Sequence, residues 1–230
     1  MIPPKIIHTL TALLLLSIGA DANSRKATNR IDNTRKWIAL TFDDGPNNVY
    51  TEPILEVLER HQVKATFFQI GKNMKQEPGL SKLVLEKGHE IGNHSMTHPR
   101  LPELETVKAI DEEIRDFQTL AQSITGIAPK TFRAPYLKFD ERVWAVLDEL
   151  NLPAFNASIY ADYKGSDNFN DPAIASAHAD SIIAKVKSGT IILMHERKTT
   201  PYYLNEVVDK LKKAGFEFVI LSELQANAIP

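Results

Sequence analysis

Trp37-Ile38-Ala39-Leu40-Thr41-Phe42, followed at once by Asp43-Asp44-Gly45-Pro46, is the stretch on which the fold turns. A short apolar and β-branched run of this kind reads as a strand, and the Gly-Pro behind the two aspartates stops it. Adjacent carboxylates at the end of an apolar strand are costly unless a cation or hydrogen bonds compensate them. Asp43 and Asp44 therefore call for a metal or an arginine.

Outward from this strand the same pattern recurs. Further strands are expected at Ala65–Ile70, Glu90–Gly92, Lys130–Arg133, Ala154–Ser158, Thr190–Met194 and Glu217–Ile220. Helical periods fall between them, near Thr51–His61, Leu80–Lys87, Glu103–Thr125, Glu141–Leu150, Pro172–Lys187 and Tyr203–Ala214. Gly88, Gly189 and Gly215 each stand where a helix ends and a strand begins, the place of a left-handed C-terminal residue. Strands alternating with helices predict βα units around a parallel sheet, here an α/β barrel of about seven strands over residues 37–230. The polar stretch Tyr160–Asp171, rich in Gly, Asn and Asp, is expected as a functional loop.

With 230 residues, 43% hydrophobic and 24% charged, the chain has the composition for one barrel-sized core. A formal net charge of −2 provides no broad basic field, which argues against nucleic acid as a partner. The absence of cysteine excludes disulfides, thiolate metal sites and a cysteine-linked lipid anchor. Lys5, the apolar run Leu10–Ile18 and the small-x-small site Ala20-Asp21-Ala22 predict a signal peptide over residues 1–22. The alternative, an uncleaved anchor, is opposed by a run shorter than the roughly 20 residues that span a bilayer. Residues 23–36 are polar and read as a flexible leader. These features predict an exported protein, periplasmic or extracellular, with no stable membrane anchor after cleavage.

Active sites of βα barrels lie at the C-terminal ends of the strands. There the expected strands deliver Asp43-Asp44, Asn93-His94-Ser95, Arg133-Ala134-Pro135-Tyr136, Asp162-Tyr163 and His195, whereas the opposite rim receives Gly and Lys. On a helical turn His94 and His98, four apart, share a face and can grip one ion. One carboxylate and two imidazoles leave positions open for water and substrate, the composition of a catalytic zinc site that also accepts cobalt or nickel. Each feature alone has a plainer reading. Asp-Asp-Gly-Pro can be a helix-capping turn, the histidine pair a surface feature, Arg133 a structural ion-pair partner and His195 a satisfied core residue. Their convergence on one rim is what argues for a site.

These motifs resemble the polysaccharide deacetylase family, the NodB-homology carbohydrate esterases of family 4. TFDDGP at Thr41–Pro46, HSMTH at His94–His98, RAPY at Arg133–Tyr136 and LMH at Leu193–His195 occur in the family's order, and the likeness runs from Trp37 to Leu224. The resemblance implies a distorted (β/α) barrel in which Asp44, His94 and His98 hold a divalent metal, zinc above all. It implies Asp43 as general base oriented by Arg133, and His195 as general acid tuned by Asp162. Pro135 and Tyr136 would stand at the oxyanion, and Leu193 and Tyr163 would line the acetyl pocket. Two departures stand out: Tyr163 occupies a position where the family usually has Trp, and Glu196 one where it usually has Asp. The implied activity is removal of N-acetyl groups from an N-acetylglucosamine-containing polysaccharide, peptidoglycan or chitin-like, with release of acetate. The competing readings are a non-catalytic sugar-binding relative and a metal amidase or esterase acting on another acetylated substrate such as xylan.

Overall fold

The computed structural model describes residues 26–31, 34–165 and 170–227; the expected signal peptide lies outside them, as does part of the Tyr160–Asp171 stretch. Among the described residues six strands form one sheet, with β1 (Trp37–Gly45) at its centre. The order is β3 (Glu90–Asn93), β2 (Thr66–Gln69), β1, β5 (Ile191–His195), β4 (Ile159–Tyr160), all parallel. The sixth, β6 (Glu217–Phe218), pairs with the start of β1. With neighbours along both edges, β1 is buried over most of its length, which is why its sequence is nearly continuously apolar.

Two expected strands are reduced to isolated bridges. Phe132 pairs with Asn93 on one side and with Ala154 on the other, and the chain then runs on into β4 beside β5. Those bridges carry the circle from β3 back to β5, so the barrel is closed but distorted. The ladder fails at 155–156 because the carbonyls of Phe155 and Asn156 accept hydrogen bonds from the guanidinium of Arg133, at 3.2 and 3.0 Å.

Eight helices are seen among the described residues: α1 (Thr51–His61), α2 (Gly71–Gln76), α3 (Pro78–Glu86), α4 (Val107–Thr125), α5 (Glu141–Glu149), α6 (Pro172–Ile183), α7 (Thr200–Lys213) and α8 (Leu221–Ala226). The short α2 and α8 escape a reading by periodicity because neither completes two turns. Helix α4 starts later than expected: Thr106 caps it by accepting from the Ala109 N–H at 3.1 Å, and Leu101–Glu103 forms a separate 3-10 turn.

Strand alternation then sorts the side chains. Ile38, Leu40, Phe42, Ile192 and Met194 pack outward on α1 and α7 residues such as Leu58, Leu204 and Val208. Ala39, Ile191 and Leu193 face the other way, with Phe68, Phe155 and Leu221. Asp43, in phase with Ala39 and in register with His195, is thereby carried to the inner side at the C-terminal rim.

The expected leader is not free throughout. Thr28 donates to the Ala154 carbonyl at 3.0 Å and accepts from the Asn156 N–H at 2.7 Å, while Ile31 is buried and donates to the Gly189 carbonyl. A single apolar residue among polar neighbours carries no periodicity, so this docking leaves no sequence signal. The opposite rim also differs from expectation, since it buries His89 and Glu90 at the start of β3. No helix among the described residues is long and apolar enough to cross a membrane.

Candidate active site

In a regular strand Asp43 and Asp44 would point to opposite faces. Here Asp43 pairs with Phe68 and Gly45 with Gln69, so Asp44 is an extra residue, a bulge with φ of 73°. The bulge turns both carboxylates into one cavity: His94 Nε2 lies 3.9 Å from Asp43 Oδ2 and 3.6 Å from Asp44 Oδ1. Asn73 of α2 holds the bulge by donating to the Asp44 carbonyl at 2.9 Å.

His94 and His98 meet Asp44, but on a loop rather than the expected helical turn. Ser95 and His98 both have φ of 65°, and the loop is pinned by Thr97, whose N–H and hydroxyl donate to Glu113 of α4. The imidazoles sit edge to face with centroids 4.9 Å apart, and His98 Nε2 lies 3.3 Å from Asp44 Oδ1.

Arg133 is fully buried inside the barrel. Its guanidinium donates to Asp43 Oδ1 at 2.6 Å and to Thr41 Oγ1 at 2.8 Å, and stacks 4.1 Å from the Phe68 ring centroid. On the other side, Asp162 Oδ1 accepts from the His195 N–H at 2.9 Å and Oδ2 lies 2.5 Å from His195 Nδ1. His195 Nε2 is 3.8 Å from Asp44 Oδ2.

Residues 30–155 match the family described as polysaccharide deacetylase. The chain belongs to the polysaccharide deacetylase family. It is 38% identical, over 85% of its length, to a peptidoglycan-N-acetylglucosamine deacetylase of Listeria monocytogenes, of which it spans only 40%. It is 32% identical, over 86% of its length and 92% of the relative's, to a peptidoglycan-N-acetylglucosamine deacetylase of Bacillus cereus. Among solved structures it resembles a family 4 pseudoenzyme from Bacillus anthracis, with a TM-score of 0.77 and 26% identity over 85% of this chain and 67% of that one.

The deacetylase-family chain has a donor set fitted to a divalent cation. One ligand atom each from Asp44, His94 and His98 lies within 4.8 Å of the others, and the buried Asp44 Oδ1 has no hydrogen-bond partner. His94 Nδ1 lies 2.8 Å from the Arg133 carbonyl, which makes it the N–H donor and leaves Nε2 with a lone pair facing Asp44. Burial would raise the Asp44 carboxyl, but His94, His195 and His98 outweigh it and hold it at about 2. Burial, helped by His94, pushes His98 down toward its neutral form.

Around these groups is a cavity of about 270 Å³, lined also by Ala134, Tyr136, Leu137, Tyr160, Leu193 and Arg197. Leu193 and Tyr136 are both on this cavity wall. The Tyr136 N–H, at φ of 55°, has no acceptor among the described residues. Pro135 is buried behind this turn and does not line the cavity. Tyr163 is not among the lining residues either: alternation past Asp162 sends its ring outward to an edge-on stack with His178, whose other neighbour is Tyr203. Tyr160, in register with Leu193, supplies the cavity's aromatic wall instead.

Sequence reasoning did not find Arg197, although its place just beyond the Leu193–His195 motif was a usable signal. Nor did it find the role of Glu196, which is buried, accepts a short hydrogen bond from the Thr51 hydroxyl and packs on Gly45. A Cβ on Gly45 would overlap the Glu196 carboxylate, which would have to shift to admit it.

Proposed function

We propose that this chain is an exported hydrolase that removes N-acetyl groups from an N-acetylglucosamine-containing polysaccharide, peptidoglycan first, and releases acetate. The observation that carries the reading is a pair of separately braced ionisable groups, Asp43 on Arg133 and His195 on Asp162, beside a carboxylate and two imidazoles that could hold a cation. Relatives described as peptidoglycan deacetylases support the substrate class.

Asp44, His94 and His98 would hold a divalent metal, zinc above all, which supplies Lewis-acid polarisation of the acetyl carbonyl and a water acidified to a pKa of about 7. Asp43 has one oxygen occupied by Arg133, which leaves Oδ2 to take the proton of the attacking water. The unsatisfied Tyr136 N–H offers a fixed donor to the developing oxyanion, and Leu193 provides an apolar wall for the methyl group. His195 donates its Nδ1–H to Asp162, so Nε2–H faces the cavity. Although burial alone would lower it, the hydrogen bond and charge of Asp162, with Asp43 and Asp44, raise its pKa and keep it protonated. From Nε2 it gives the proton to the departing amine as the C–N bond breaks.

Acetate release from N-acetylglucosamine oligomers and from peptidoglycan tests the reading, before and after chelation and with zinc restored. Metal-dependent release supports it. Absence of release despite stoichiometric metal overturns it. Retention of glycan without release would select the sugar-binding alternative that likeness to a pseudoenzyme suggests, against which both braced pairs argue.

A further inference from the structure

We propose that Arg197 selects substrates carrying a carboxylate on or beside the N-acetylated sugar, so that the preferred substrate is an acidic glycan rather than a neutral N-acetylglucosamine polymer. This rests on the deacetylase reading above and narrows it.

The other charged groups that line the cavity are matched. Asp43 is neutralised by Arg133, Asp162 by His195, and Asp44 stands among three imidazoles where a cation fits. Arg100 lies over the ring of Tyr136 and is 3.8 Å from Glu103. Arg197 is the exception. It lines the same cavity as the catalytic groups and is exposed, and its guanidinium has no hydrogen bond or ion pair among the described residues.

The position is held even though the head group is not. Thr200 donates from its backbone to the Arg197 carbonyl and from its hydroxyl to the His195 carbonyl, at 3.1 and 2.7 Å, so the turn after β5 is fixed at both ends. The charge is close enough to Asp162 to favour its ionised form. Tyr160 and Tyr136, 58% and 51% exposed, offer rings on which a sugar can lie. A planar guanidinium with its donors unused at the mouth of a sugar-sized cavity matches a carboxylate bidentately, and a neutral oligomer offers it nothing of the kind.

The lactyl ether carboxylate of a muramic residue and the carboxylates of an attached stem peptide share this chemistry. Three substrates separate them: neutral N-acetylglucosamine oligomers, glycan strands freed of stem peptides but retaining lactyl carboxylates, and strands retaining their peptides. A fourth, stripped strands with the carboxylates converted to methylamides, removes the charge alone. Wild type is expected to favour the acidic strands over their methylamides in KM rather than kcat. Arg197→Ala should lower the ratio of kcat/KM for acidic over neutral substrate about tenfold, Arg197→Lys should restore part of it, and Arg197→Glu should invert it. Added salt should erode the wild-type preference because the group is exposed. A preference seen only with peptides attached would assign the carboxylate to the stem.

Equal loss on acidic and neutral substrates, or a wild type indifferent to methylamidation, overturns the proposal while leaving deacetylation intact. If wild type turns over no glycan, the deacetylase reading fails, and Arg197 is then judged by calorimetric binding of stripped strands against their methylamides. Equal affinities there overturn it too.

Discussion

The two rims of the barrel bury the same kinds of side chain, and several of them are treated in opposite ways, although His98 at the C-terminal rim is pushed down as His89 is at the other. At the C-terminal rim Asp44 is held at about 2, Asp162 is lowered and His195 is raised, so each is driven toward its charged form. At the other rim burial, with help from Lys64, pushes His89 down to about 4, and burial pushes Glu90 up, so both move toward neutrality. Desolvation opposes charge at either end; what differs is whether opposite charges stand close enough to overcome it. The quiet rim is also satisfied. Glu90 accepts from the Thr66 hydroxyl and the Ser222 N–H, Thr66 Oγ1 accepts from the Leu221 N–H, and His89 accepts from the Ala65 N–H. These bonds tie the start of α8, which has no side-chain cap, to β2 and β3. Buried titratable groups thus mark a site only where their charges are paired and a ligand atom is left over, as at Asp44 Oδ1.

The contrast is broken most severely at the active rim. Asp43→Asn should lower turnover by about a hundred- to ten-thousandfold and leave metal content intact, whereas His94→Ala should lose both. Elemental analysis alongside an acetate assay checks this, and equal metal in the two variants would refute the division of roles.

Next comes the charge pair at His195. With His195 as the proposed proton donor, activity should fall as pH rises through its raised pKa, and that descending limb should lie above the ordinary histidine value of 6.5. Asp162→Asn should move the limb to lower pH and cost about tenfold in turnover near pH 8. A limb that stays in place would remove His195 as the proton donor.

A smaller effect is expected at Glu196, which lies at the active rim yet behaves like the quiet one: burial raises its carboxyl from 4.5 to about 8. The folded value lies above the unfolded one, so this group's contribution is fully present below pH 4.5 and is lost as pH rises through 8. In the metal-free protein, Glu196→Gln should flatten this dependence and melt above wild type by roughly 5 °C at pH 8. Identical pH slopes by calorimetry would show that Glu196 ionises freely. Smallest of all, Glu90→Gln at the quiet rim should leave turnover within about twofold and stability within ~1 kcal/mol. A large loss of activity there would couple the two ends.

The strand pattern from Trp37 onward, the order of the motifs and their placement at strand ends were legible in the residues themselves, because burial on a parallel sheet imposes apolar runs and leaves reactive groups only where strands stop. Strands 130–133 and 154–158 were overread, since the buried Phe132, Ala154 and Phe155 reflect contact with the core and not a full ladder, and Arg133 takes the carbonyls of Phe155 and Asn156 instead. Direction was decided by tertiary structure alone. The bulge at Asp44, the loop geometry of His98, the outward turn of Tyr163 and the contribution of Tyr160 and Arg197 to the cavity all depend on which residue pairs with which across the sheet. Residue type and spacing along the chain state what chemistry is available. Only the register of neighbouring strands states which face each side chain takes, because a shift of one residue reverses it.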